Sequence, residues 1–206
     1  KAQEEGYFKP IAFKCVDEID EEDADLAIAQ TALEQLDADI GRGFAHLLMA
    51  RCNSIPRATA VHAIYSGLAP GHTPQLVHNA MPASNQLEVL RLLRSGGSRI
   101  VVCVDMLGEG FDLPELKVAA LHDIHKSLAI TLQFTGRFTR TRADLGEATM
   151  IANVADPRVA DSLRDLYAED ADWNVLLRDL SEGANSRQAR RTEFLDAFAD
   201  LPDEVS

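Results

Sequence analysis

The sequence predicts an α/β protein: a mostly parallel sheet with helices on both faces, followed by a helical C-terminal extension. Three observations predict it. Apolar runs of strand length at residues 44–50, 99–104, 117–121 and 148–154 fit strands buried on both faces. Segments with helical periodicity separate them, at the spacing right-handed strand–helix–strand crossovers use. After Asp156-Pro157 the pattern turns to helix alone, at 158–167, 172–180 and 187–201. The expected organisation is a lead-in strand and helix (1–41), the main domain (42–156) and the helical extension (157–206).

Residues 10–16 can form a first strand. Asp17-Glu18-Ile19-Asp20 then imitates a magnesium-holding carboxylate box. Such a box works beside a GxxxxGK[ST] phosphate loop, and the chain contains no Gly-Lys pair. The acidic run reads instead as the lead-in to a helix, where carboxylates favour the N-terminus. That helix covers 22–40, with Leu26, Ala29, Leu33, Leu36 and Ile40 as its apolar stripe. Gly41 or Gly43 ends it. After the strand at 44–50, Ser54 sits where a cap belongs and Pro56 falls in the first turn of a helix reaching residue 68. Arg51, Asn53 and Ser54 are candidates for a phosphate contact at that helix start; a plain capped helix is the competing reading. A Gly/Pro-rich turn at 67–74 precedes a short strand at 75–78. A helix at 85–94 follows, with Leu87, Leu90 and Leu93 on one side, stopped by Ser95-Gly96-Gly97-Ser98. In the extension, Trp173, Leu176, Leu177 and Leu180 form a packing stripe, and Gln188-Ala189-Arg190-Arg191 a solvated face.

Composition narrows the class. The 206 residues are 46% apolar and 26% charged, ordinary for a globular protein. No apolar run approaches the roughly 20 residues of a membrane helix. Cys15, Cys52 and Cys103 are odd in number and lack CxxC spacing, which argues against a disulfide framework or zinc site and suits a cytoplasmic protein. The formal charge is −13, but residues 42–158 hold 12 basic against 9 acidic residues, while the flanks hold 8 against 24. The acidity belongs to the flanks, and the middle can meet phosphates.

Two clusters carry chemistry. Asp105-Met106-Leu107-Gly108-Glu109-Gly110-Phe111-Asp112 follows an apolar strand. Its glycines let backbone N–H groups approach a ligand, and the ionised Asp112 can accept from a ribose hydroxyl. The second cluster lies on a helix expected at 128–140 with Ser127 as its cap. Taking Gln133 as reference, Arg137 and Arg140 fall at about 40° and about 20° on either side, while Phe134 and Phe138 turn toward the core. Gly136 is a poor helix former, which suggests a close approach to the backbone. Two guanidiniums aimed alike call for an anion or carboxylates before them.

Gln133-Phe134-Thr135-Gly136-Arg137-Phe138-Thr139-Arg140 resembles motif VI, QxxGRxxR, of superfamily-2 helicases and translocases. Residues 105–114 resemble their motif V, in the EGFDLPE form of the excision-repair helicase subunit and of type I and III restriction-enzyme helicase subunits. Residues 44–57 resemble motif IV, and His78-Asn79-Ala80-Met81 a His-small-x-Met segment of the family. The resemblance covers about residues 43–154 and implies a RecA-like second motor domain. Arg140 would be the arginine finger on the γ-phosphate, with Arg137 supporting it and Gln133 near the nucleotide. Gly108, Glu109, Gly110, Asp112 and Gly136 would bind nucleotide or couple it to the strand. Arg51, Asn53, Ser54, His78 and Asp105 would face nucleic acid, DNA more than RNA. Val104 stands where several relatives carry a threonine that touches the strand, so contact there falls to backbone groups. ATP and Mg2+ would be held mainly by an N-terminal RecA-like domain carrying the phosphate loop, so this chain by itself is expected to be inactive. A non-catalytic helicase-like binding module is the rival reading.

Overall fold

The computed structural model describes residues 11–104, 113–123 and 145–155. They form a six-stranded sheet in the order β1-β6-β5-β2-β4-β3, every pairing parallel. β1 (Ile11–Val16) leads through α1 (Glu21–Gly41) to β2 (Leu47–Cys52). α2 (Ile55–Leu68) and a 3-10 turn at Pro70–His72 lead to β3 (Gln75–Val77), and α3 (Ala83–Ser95) leads to β4 (Ile100–Val104). β5 (Leu116–Leu121) and β6 (Ala148–Asn153) complete the sheet. The lead-in strand is thus built into the sheet, since β1 pairs along its length with β6.

The path explains the layers. From β1 to β3 the chain advances from one edge of the sheet to the other; β4, β5 and β6 then fill in on the way back. Right-handed crossovers put α1 and α2 on one face and, after the reversal, α3 on the other. The main core lies under the first two helices. Ile28, Ala29, Ala32 and Leu36 of α1 and Ala58, Val61 and Tyr65 of α2 pack on Leu48, Ala50, Ile100, Val102, Val118, Ala120 and Ile151. The alternate strand residues Met49, Val101, Cys103, Ala119 and Met150 are buried as well, as a sheet covered on both faces requires.

Local chemistry sets the boundaries. Asp20 caps α1, accepting from the backbone N–H of Glu22 at 2.9 Å and of Asp23 at 3.3 Å, so the acidic run is a helix start. Gly96 ends α3 in the left-handed region at φ 74°, which glycine occupies without penalty. Three expectations are corrected. β2 runs to Cys52 rather than ending at Ala50, because β4 and β5 continue to pair with it on both sides up to Val104 and Leu121. On α1, Leu26 is 39% exposed, and the buried stripe takes in Asp25, Ile28 and Asp39 instead. On α3, Leu87 is 65% exposed, and Val89 joins Leu90 and Leu93 in the interior. The expected helices at 128–140 and beyond residue 157 lie outside the described residues. No helix among the described residues is long and apolar enough to cross a membrane.

Candidate functional site

In open parallel sheets, ligands gather beyond the C-terminal ends of the strands, where the path reverses. Here β2 stands between β5 and β4, two strands of the returning half. The chain therefore leaves three neighbouring strands at Leu121, Cys52 and Val104. The segment 105–112 follows the last of these.

The residues expected to face nucleic acid separate into different settings. Asn53 is exposed just past β2. Ser54 is the N-cap of α2, its Oγ accepting from the backbone N–H of Arg57 at 3.5 Å. Arg51 lies within β2, only 3% exposed, and its carbonyl accepts from the His122 backbone N–H at 3.1 Å. His78 follows β3 at the sheet edge, its carbonyl accepting from the Met81 N–H at 3.1 Å; its Nδ1 is buried without a hydrogen-bond partner among the described residues. Asp105, Gly108, Glu109, Gly110 and Asp112, and equally Gln133, Gly136, Arg137 and Arg140, lie outside the described residues.

Sequence reasoning missed a polar cluster beside Asn53. The Arg57 guanidinium donates to both carboxylate oxygens of Asp25, at 2.7 and 3.0 Å, and through Nε to Oδ1 of Asp123 at 3.3 Å. The other oxygen of Asp123 accepts from the backbone N–H of Asn53 at 3.0 Å. His122 lies with Nδ1 2.9 Å from Oδ1 of Asp25 and Nε2 3.2 Å from the Tyr65 hydroxyl. An ionised Asp25 can only accept, so Nδ1 carries the proton between them.

These contacts set the charges. Burial pushes the Asp25 carboxyl up, but hydrogen bonds from His122 and Arg57 outweigh it and hold the group below its ordinary value of 3.8. The hydrogen bond to Asp25 holds the Arg57 guanidinium above its ordinary range, and burial pushes Tyr65 up. One guanidinium between two carboxylates leaves no positive charge for an anion. The cluster positions loops; it offers no nucleophile and base. A sequence signal did exist, since Asp25 precedes Ala29, Ala32 and Leu36 at helical spacing on the buried face of α1.

Residues 47–142 match the family described as helicase conserved C-terminal domain. That stretch is similar to the C-terminal domain of superfamily-2 helicases. It is 28% identical over 127 residues to UvrABC system protein B of Chlorobaculum tepidum, spanning 59% of this chain and 17% of that protein. It is also 28% identical over 89 residues to the ATP-dependent RNA helicase dbp-8 of Neurospora crassa, spanning 43% of this chain and 14% of that one. The chain thus spans less than a fifth of the length of these curated relatives. Among solved structures, domain 2 of the DEAD-box helicase Mss116p bound to an RNA duplex superposes with a TM-score of 0.63. The identity is 15%, covering 77% of this chain and 59% of that one. Dbp5 of S. cerevisiae, bound to RNA and ADP BeF3, gives 0.59 at 17% identity, covering 79% and 39%. At such identities the likeness speaks for the fold, and the fold is the RecA-like sheet of a helicase C-terminal domain.

Proposed function

We propose that this helicase C-terminal domain is the second motor domain of an ATP-dependent nucleic-acid helicase or translocase. The observation that carries the reading is the order of two motifs within the matched stretch. The Gly-x-Gly-x-Asp segment follows β4, and the Gln-x-x-Gly-Arg-x-x-Arg segment lies between β5 and β6. β4 and β5 flank β2, so the chain enters both segments from the C-terminal ends of neighbouring strands, where such folds place their ligands.

In this reading an N-terminal RecA-like domain supplies the phosphate loop and the carboxylate that holds Mg2+, and ATP lies between the two domains. Arg140 reaches the γ-phosphate, where a guanidinium stabilises the charge that develops during transfer. Arg137 and Gln133 support it, and Gly110 and Asp112 link nucleotide to strand. Asn53, with the first turn of α2, contacts the strand backbone, DNA in preference to RNA. Domain closure on ATP and reopening after hydrolysis then move the protein along that strand.

The test is Arg140→Ala in the protein expressed from its complete native reading frame. ATPase activity stimulated by single-stranded DNA is expected to fall by about 10³–10⁵-fold, with the circular dichroism spectrum and melting transition retained. Near-normal turnover in that variant removes Arg140 from the role. Stimulation by RNA but not by DNA reverses the choice of strand.

A further inference from the structure

The two helices that share one face of the sheet leave unlike surfaces to solvent. On α2 the exposed positions Pro56, Thr59, Ala60, Ala63 and Gly67 fall within about 100° of arc. None is charged, and all are small. On α1 the exposed arc carries Glu22, Asp23, Leu26, Gln30, Glu34 and Asp37. Residues 17–41 hold ten acidic residues and no lysine or arginine. Among the described residues, Asp37 meets His72 at 2.7 Å, while the Glu22, Asp23 and Glu34 carboxylates gain no ion pair. The single arginine of α2, Arg57, is taken up by Asp25 and Asp123. α3, on the opposite face, has the surface of an ordinary solvated helix. It exposes Glu88, Arg91 and Arg94, with both signs present and the first two paired.

We propose that the layer formed by α1 and α2 docks a basic amphipathic helix supplied by a partner protein. An uncharged stripe beside a carboxylate-rich one calls for the complementary pattern: apolar residues along one side of a helix and lysines or arginines along the other. The stripe from Pro56 to Gly67 runs about 16 Å, which three turns of a partner helix cover. Its small side chains let a second helix axis come close. Leu26 on α1 and Leu68 at the end of α2, 39% and 41% exposed, add apolar area, and apolar surface rimmed by polar residues marks interaction sites. The charge also selects against other occupants. A second copy of the chain would set the α1 carboxylates against themselves, where they repel, or against the uncharged stripe, where they lose water without gaining a partner. Nucleic acid and anionic lipid carry the sign of α1 and are repelled. A cationic helix gains from both α1 and α2.

The probe is a fluorescently labelled peptide of about four helical turns, with leucines on one face and lysines on the other. Its binding is followed by anisotropy at physiological ionic strength, against a peptide of the same composition in scrambled order. The protein is expressed from its complete native reading frame. The amphipathic peptide is expected to bind about tenfold more tightly than the scrambled one. Ala63→Arg places a cation on the uncharged stripe, and Glu34→Lys reverses the charge beside it. Each weakens binding of the amphipathic peptide by about tenfold, with the melting transition retained. Ala60→Lys replaces Ala63→Arg if that variant lacks a cooperative transition. Equal binding of the two peptides, or binding of neither, overturns the proposal, since acidity alone or nothing at all would then be at work. Amphipathic binding that the folded α2 variant leaves unchanged overturns it too, because the peptide would then sit elsewhere. So does a dimer in sedimentation equilibrium that the α2 substitution dissociates, which would give the stripe to a second copy.

Discussion

α1 contributes a buried aspartate near each of its ends, and each aspartate pairs with a histidine, yet the two pairs live in different chemistry. Asp39 lies 2.7 Å from Nδ1 of His46, and both side chains are 1% exposed. Nε2 of His46 donates to the Leu145 carbonyl at 2.7 Å, and the Phe44 ring stacks on the imidazole with centroids 4.8 Å apart. Oδ1 of Asp39 accepts in addition from Gln35 Nε2 at 2.8 Å and from the guanidinium of Arg42, whose side chain is 63% exposed, at the end of the sheet away from the expected ligands. Asp25, at the other end, shares its carboxylate between His122 and the Arg57 guanidinium, and that guanidinium reaches on to Asp123 at the rim. Each aspartate thus serves a buried histidine and an arginine, but the arginine on Asp39 ends in solvent while the arginine on Asp25 reaches a second carboxylate beside the site. A buried polar pair is read by what lies beyond it, not by its own geometry.

The comparison predicts that stability is concentrated at the Asp39 end, where both members of the carboxylate–histidine pair are 1% exposed. Asp39→Ala leaves the interior His46 without its partner and is expected to cost about 3 kcal/mol, read from the urea midpoint. Asp25→Asn keeps the shape, and Arg57 keeps Asp123 and partial access to water, so about 1 kcal/mol is expected. A larger cost for Asp25→Asn than for Asp39→Ala would reverse the assignment of the two ends.

The architecture was legible in the sequence where apolar pattern decided it. Six strands and three helices lie where the runs and periodicities place them, because burial on both faces of a parallel sheet needs little else. The pattern failed where polar contacts overrode it. The leucine at 26 was expected inside, as part of the apolar stripe. The structure turns α1 so that Asp25 faces inward, since His122 and Arg57 are there to meet it. The extent of β2, and with it the burial of Arg51, depends on two flanking strands that local sequence does not show. The clusters at 105–112 and 133–140 were singled out by their residue types and spacing, and lie outside the described residues. The Asp25, Arg57, His122 and Asp123 cluster was not, because 97 positions separate Asp25 from His122. Only the adjacency of β5 and β2 brings them together.

Acid sharpens the contrast without removing any atom. Because the folded structure holds the Asp25 carboxyl below 3.8, its contribution is fully present above that value and is lost as pH falls through the lower, folded-state pKa. The difference in urea midpoint between the unsubstituted protein and Asp25→Asn is therefore expected to be constant from neutral pH down to about pH 5 and to shrink below about pH 4. A gap that persists at pH 3 would mean that asparagine costs stability through shape rather than charge.

The smallest effect isolates burial as the variable. Glu88 and Arg91 on α3 form the same carboxylate–guanidinium pair, with Nε donating at 2.8 Å, yet both are fully exposed. Their mutual hydrogen bond lowers the carboxyl and raises the guanidinium, as happens to Asp25 and Arg57, so the chemistry matches and the surroundings do not. Water competes for both partners at the surface, and screening by salt weakens what attraction is left. Arg91→Ala is accordingly expected to leave the urea midpoint unmoved at physiological ionic strength. A shift as large as that of Asp25→Asn would show that the pair itself, and not its setting between α1, α2 and the end of β5, gives the Asp25 cluster its strength.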